Sequence, residues 1–291
     1  VMDDGVTTRI AENHFHMATT TGGAAGGLDW MEEWLTTERP DLKVYLTSVT
    51  EEWSVAPLSG PNAAKILQAA GIDISLDAAD FPFMSMREAH IAGLPVRVFR
   101  ISFTGELSYE INIRARHGLA LWTHLMTAGE AFGLTPYGTE AMHVLRAEKG
   151  FIIVGQETDG SVTPQDLGMD WIGSKVKPDF IGKRALERAS MAAEGRKQLV
   201  GLRTRDRKRV IPEGAHAVLD PDEGMPMTML GQVTSSYYSP NVGGSIAMAM
   251  LKGGRALMGG TVYLPMLDGD VIEAEGVEPL FFDPKGERIN G

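Results

Sequence analysis

Two carboxylates and a hydroxyl-rich turn lie within nine residues, Phe103 to Ile111 (FTGELSYEI). Val96 to Ser102 alternates apolar and polar positions, Thr104-Gly105-Glu106 punctuates the run, and Tyr109 to Ile113 alternates again, the pattern of a hairpin in a half-buried sheet. With a strand period of two, Glu110 and Asn112 share one face. No Arg or Lys flanks Glu110 on its own face of that arm. A carboxylate taken from water without a partner costs several kcal/mol (roughly). One group that fits it is a ligand with two parallel N–H donors, such as the aminopyrimidinone edge of a pterin or guanine. The alternative is a Glu facing solvent on a half-exposed strand, the usual place for that residue.

The elements that would position these residues follow from punctuation. Leu58 to Ala70 has the marks of a helix, with Ser59 as cap, Pro61 in the first turn, Ala63, Ile66, Leu67 and Ala70 on one face, and Gly71 as the stop. Trp122, Leu125, Met126 and Phe132 mark a second helix closed by Gly133, and Glu140 to Lys149 a third. Strand patterns occupy His14 to Thr19, Lys43 to Val49 and Gln198 to Thr204. Helices mixed with hairpins define an α+β class. Ala185 to Gly195 reads as a helix tail and linker, and short strands near Val200, Ala217, Gly231, Ile246, Gly260 and Val271 predict a small C-terminal β-barrel. The expected domains are 1–190 and 196–291.

Composition excludes several classes. A chain of 291 residues, 43% hydrophobic and 22% charged, has enough apolar surface for two cores. A net charge of −11 disfavours nucleic acid, which requires a basic face. The absence of Cys removes disulfides, thiolate catalysis and thiolate metal sites. His14 and His16 share a strand face but no third ligand follows at metal spacing, so no metal is expected. No apolar run approaches the roughly 18 residues of a membrane span, so a cytoplasmic protein without membrane contact is expected. Arg203, Arg205, Arg207, Lys208 and Arg209 form a basic run, read as a solvated loop or subunit contact, or as an attractor for an anionic ligand tail.

Several blocks, taken in order, resemble the glycine-cleavage T-protein family, the folate-dependent aminomethyltransferases. FTGELSYEI is similar to Y-T-G-E-x-G-x-E, Met2-Asp3-Asp4 to L-D-D, Leu58 to Ala64 to L-Q-G-P-x-A, and Phe81 to Met84 to L-P-F-M. LRAEKG (145–150), VTPQDLGMDW (162–171), DFIGKRAL (179–186) and the block beginning GQVTSSYYSPN at Gly231 complete the series, so the resemblance spans nearly the whole chain. It implies a T-protein-like folate-binding domain followed by the barrel. Because the chain opens at Val1 directly on the D-D motif, the first domain is expected to be truncated at its N-terminus.

On that resemblance, Glu110 anchors a pterin, with Phe103, Tyr109, Thr20 and Thr21 also at the folate and Asp4 as the catalytic carboxylate. A carboxylate near the reactive nitrogens takes the proton released when an amine attacks an iminium carbon and stabilises the cation. Asp3 and Asp4 equally suit a plain turn with Gly5. Thr20 stands where the aminomethyltransferases carry an Asn; Thr hydroxyls donate in its place, and Gly22 and Gly23 admit a flat ring, or the run is a simple helix lead-in.

The departures are informative. Met142 replaces a folate-contacting Arg of the family, and a second Arg of the family's barrel aligns near Glu213. Pro136 to Gly160 is instead similar to the matching block in the α subunits of heterotetrameric sarcosine oxidases. That resemblance implies an oxidoreductase subunit whose folate domain captures, on tetrahydrofolate, the one-carbon unit released when sarcosine is demethylated at a flavin. FAD, FMN and NAD are implied elsewhere in such a complex, and the other subunits as partners. The alternatives are a stand-alone tetrahydrofolate-dependent aminomethyltransferase or demethylase, and a folate-binding scaffold of iron–sulfur assembly. The last carries K-G-C-Y-x-G-Q-E, where this chain has Phe151 in place of the Cys.

Overall fold

A computed structural model describes residues 1–290. Its contacts divide the chain into two compact units: Asp3–Gly138 with the C-terminal residues from Lys285, and Val1–Met2 with Thr139–Pro284. Residues 139–190, placed by sequence reading with the first domain, make their contacts in the same unit as the barrel.

The unit built on Asp3–Gly138 opens with an antiparallel hairpin, β1 (Gly5–Ala11) and β2 (His14–Thr19), followed by helix α1 (Ala24–Thr37). Its main sheet contains β3 (Trp53–Ser59), β4 (Ser85–Ile91), β5 (Leu94–Arg100) and β6 (Ser108–Arg114), all antiparallel in the order β3-β6-β5-β4. Helices α2 (Ala63–Ala69) and α3 (Gly118–Gly129) cover one face. The predicted stripe of α2 is buried throughout, with Ala63, Ile66, Leu67 and the capping Ala70 packed against Tyr109, Ile111 and Ile113 of β6.

Leu58 and Ser59 correct the expected start of α2, since they end strand β3 and the helix begins only at Ala63. The ladder outweighs the local capping signal: Leu58 and Ser59 pair with Tyr109 and Ser108, and the two serine hydroxyls lie 2.7 Å apart. Gly60, at φ +120°, then turns the chain, a geometry reserved for glycine. The expected strand at Lys43 to Val49 is not formed. Its apolar residues find no sheet to pack on, and Tyr45 is 96% exposed.

In the second unit, α4 (Thr139–Glu148) precedes β7 (Lys197–Thr204), β8 (His216–Ala217), β9 (Gly231–Ser239), β10 (Gly244–Lys252), β11 (Thr261–Pro265) and β12 (Val271–Val277). The strand order is β11-β12-β7-β10-β9-β8, and a bridge from Val218 to Tyr263 joins the two ends into a barrel. Strand β10 is buried on both faces. Its Ala247, Ala249 and Leu251 belong to one core with Val200, Leu202 and Val233, while Ile246, Met248 and Met250 belong to another with Ala147 and Ile152.

Motifs that carried the resemblance meet inside this unit. Arg146 of α4, fully buried, forms an ion pair with Glu157 at 2.9 Å and donates to the Phe151 carbonyl, Gln156 and Ser235. Glu157 also accepts from Thr234, Ser235 and the Ile153 amide. Glu148 accepts from Ser239 and Asn241. The L-R-x-E, G-Q-E and V-T-S segments are thus partners in one buried polar network, in which the ion pair is held by surrounding hydrogen bonds.

Candidate functional site

Strand β6 is central in its sheet, so its neighbours determine what each side chain meets. Tyr109, Ile111 and Ile113 point into the helix-covered core, and Tyr109 lies fully buried with its ring 6.0 Å from Phe81. Glu110 and Asn112 project from the opposite face. Register places Glu110 between Pro57 and Phe99, with Met86 beyond, and Asn112 between Val55 and Arg97, with Glu88 beyond. The hairpin β1–β2 lies over this face through His16, whose ring is 5.9 Å from Phe99 and 6.5 Å from Trp53.

The two hairpin carboxylates part company here. Glu106 pairs with Arg288 at 2.6 Å. Glu110 has no hydrogen bond or ion pair with any described residue, and burial alone pushes its carboxyl above the ordinary value of 4.5. A carboxylate drawn out of water without a partner is a group awaiting donors. The cations nearby are engaged elsewhere: Arg97 and Arg114 lie over Trp53, 4.7 and 4.6 Å from the ring centroid, with Arg97 reaching Glu88 and Arg114 pairing with Glu52.

Of the remaining candidates, Asp3, Asp4, Thr20 and Gly23 form a second cluster. Asp4 is exposed, and its Oδ1 accepts from the Gly5 amide. Asp3 accepts from the Asp4 amide through Oδ1, while its Oδ2 is buried without a hydrogen bond against Gly23. A Cβ on Gly23 would lie 2.0 Å from that oxygen, so any side chain there would displace the Asp3 carboxyl. Thr20 is exposed and its hydroxyl accepts from the Gly23 amide at 3.1 Å, at the start of α1. Thr21 is exposed, and Phe103 is partly buried next to the β5–β6 turn. Tyr109 is separated from Glu110 by the sheet itself, because adjacent residues of a strand face opposite ways. It supports the site through packing.

Sequence reading did not single out His16, Phe99, Arg97 or Trp53 on this face. The alternation of β2 was readable and put His14 and His16 on one side, but only the docking of the hairpin brings His16 to Phe99. Burial, then the charge of Arg97 and the neighbouring His14, hold the His16 imidazole below its ordinary 6.5. A cavity of about 290 Å³ opens between β1 and the start of β4, lined by residues 6–9 and 84–87. Met86, in the row of Glu110, belongs to its wall. Met142 is half-buried on α4, and Glu213 is exposed with Gln156 Nε2 at 3.4 Å, so neither position supplies a cation. In the basic run, Arg205 and Arg209 pair with Glu273 and Asp270.

Residues 1–177 match the GCVT N-terminal domain and residues 197–283 the glycine cleavage T-protein C-terminal barrel domain; the chain belongs to the glycine-cleavage T-protein family. Within that family it is similar to sarcosine oxidase subunit alpha of Corynebacterium sp. (strain P-1), 48% identical over 297 residues that cover 100% of this chain and 30% of that protein. The same subunit from Rhizobium meliloti (strain 1021) is 39% identical over 300 residues, again 100% of this chain and 30% of the relative. The chain therefore spans about 30% of the length of these curated relatives. The fold is that of glycine cleavage system aminomethyltransferase T from Bartonella henselae, with a TM-score of 0.82 and 25% identity over 98% of this chain and 73% of that one.

Proposed function

We propose that this chain is the folate-binding part of a sarcosine-oxidase-like α subunit, where the one-carbon unit of an oxidised N-methyl amine passes to tetrahydrofolate as glycine leaves. The unpartnered, desolvated Glu110 carries the reading. A 2-amino-4-oxo-pyrimidine edge offers two parallel N–H donors, which satisfy both carboxylate oxygens and remove the cost of leaving the charge alone. Bound tetrahydrofolate supplies two amine nitrogens that take up the carbon. The chain's own residues bind, orient and receive a proton. Glu110 fixes the plane of the heterocycle, and the hairpin over the sheet shields that face. Asp4, with one carboxylate oxygen on the Gly5 amide and the other open, takes the proton lost by the attacking amine. Holding the carbon beside both nitrogens makes the second bond intramolecular and lets capture compete with hydrolysis to formaldehyde.

The relatives and the departures at Met142 and Glu213 support this reading over a stand-alone aminomethyltransferase, whose fold the chain shares. The amine would be selected at a flavin site on other parts of the complex, and FAD, FMN, NAD and the further subunits belong there.

Calorimetric titration of tetrahydrofolate into the protein as its gene encodes it, beside Glu110→Ala, tests the site. Saturable binding that weakens at least roughly 100-fold in the variant is expected, since a doubly hydrogen-bonded charged group is removed. Equal affinity in the two proteins refutes the assignment.

A further inference from the structure

Glu110 is not the only polar group left open on its face. Asn112, two positions along β6, is 7% exposed, and its side-chain amide makes no hydrogen bond with any described residue. Its polar atoms keep a remnant of solvent contact, so the amide is open to a ligand and gains a partner when one binds. We propose that Asn112 reads the atom next to the N–H pair taken by Glu110, so that the two residues together select a 4-oxo pyrimidine edge over a 4-amino one. The inference rests on the folate reading of the Glu110 site and goes beyond it, to what distinguishes one pterin from another.

The geometry supports the pairing. Residues two apart on a strand lie about 7 Å apart on one face, close enough for a long and a short side chain to reach neighbouring atoms of one ring. An amide presents either its oxygen or its N–H2 group, and Arg97 decides which. It is the register partner of Asn112 on β5, its guanidinium carries donors only, and stacking on Trp53 with Nε 3.4 Å from Glu88 holds it there. The positive field draws the Asn112 oxygen toward the guanidinium and leaves N–H donors toward the ligand. A 4-oxo group accepts from them. A 4-amino group sets donor against donor at Asn112, and the same ligand carries no hydrogen on the ring nitrogen that faces Glu110, so both residues disfavour it.

The test is equilibrium titration of the full-length protein with tetrahydrofolate and with its 4-amino-4-deoxy counterpart, in the unsubstituted form and as Asn112→Leu, Asn112→Asp and Glu110→Gln. The unsubstituted protein should prefer the oxo ligand. Asn112→Leu should weaken tetrahydrofolate about tenfold, as for one lost hydrogen bond, with little effect on the amino ligand, so that the preference narrows by that factor and the remainder rests on Glu110. Asn112→Asp, which only accepts, should narrow the preference further, since it offers the amino group a partner and the oxo group none. Glu110→Gln should weaken both. Tetrahydrofolate binding with the same preference in every soluble Asn112 variant overturns this inference and leaves the folate site standing. No saturable binding of either ligand by the unsubstituted protein overturns the folate reading, and this inference with it.

Discussion

A carboxylate that carries its charge without a partner is a liability for the free protein and an asset for binding. The folded pKa of Glu110 is raised, so its ionised form is disfavoured in the native state. The cost is absent below the unfolded value of 4.5 and is fully felt above the folded one, so stability falls as pH rises through that window. Glu110→Gln should therefore raise the denaturation midpoint of the ligand-free protein at neutral pH while weakening tetrahydrofolate binding. A variant less stable than the parent would show that Glu110 has a partner in the folded protein. Binding should also weaken as pH drops through the raised pKa, with proton release on complex formation below it, measurable by calorimetry in buffers of different ionisation enthalpy. At the same scale, Gly23→Ala should push the Asp3 carboxyl away from the turn before α1, because the added carbon falls on the Asp3 carboxylate and the Thr20 hydroxyl.

At the scale of elements, what holds the site is a strand with two different faces. The helix-covered face gives β6 its rigidity through Tyr109, Ile111 and Ile113, and α2 seals it with Leu67 at 0% exposure. Leu67→Ala should cost about 2–5 kcal/mol, the range for deleting a buried leucine side chain, read from chemical denaturation. The network around Arg146 and Glu157 does comparable work between α4 and strands β9 and β10. Glu157→Ala leaves a buried guanidinium uncompensated and should cost about 3–5 kcal/mol. A loss below about 1 kcal/mol would mean that water enters and solvates the Arg146 guanidinium. Both substitutions lie outside the Glu110 face, so folate affinity in the folded fraction should be unchanged.

For the whole molecule, binding and stability are linked. If tetrahydrofolate occupies the native state alone, a concentration of 100 times Kd should stabilise it by about 2.7 kcal/mol, and the rise in melting temperature should vanish in Glu110→Ala. If the chain works in a sarcosine-oxidase-like complex as proposed, tetrahydrofolate added to that complex should divert the carbon from formaldehyde to 5,10-methylenetetrahydrofolate. Asp4→Asn should restore formaldehyde release without slowing amine oxidation, because proton acceptance follows the flavin step. An oxidation rate that falls in parallel would place Asp4 in the fold rather than in the chemistry.

Much of this was legible from sequence because it is local. The β5–β6 hairpin, the buried stripe of α2, β2, β7 and the barrel strands follow from periodicity and turn residues, and Glu110 and Asn112 were assigned one face by strand geometry alone. The ordered motifs carried the family. Tertiary structure decided the rest. It placed Leu58 and Ser59 in a ladder where a helix cap was expected, left Lys43 to Val49 without a sheet, and gave Glu106 an ion pair through Arg288, 182 residues away. It turned the L-R-x-E, G-Q-E and V-T-S motifs into one buried network and set His16 over Phe99. A strand's period determines which side chains share a face. What covers that face, and which charges there find partners, depends on segments distant in sequence, and burial and pKa follow from that packing.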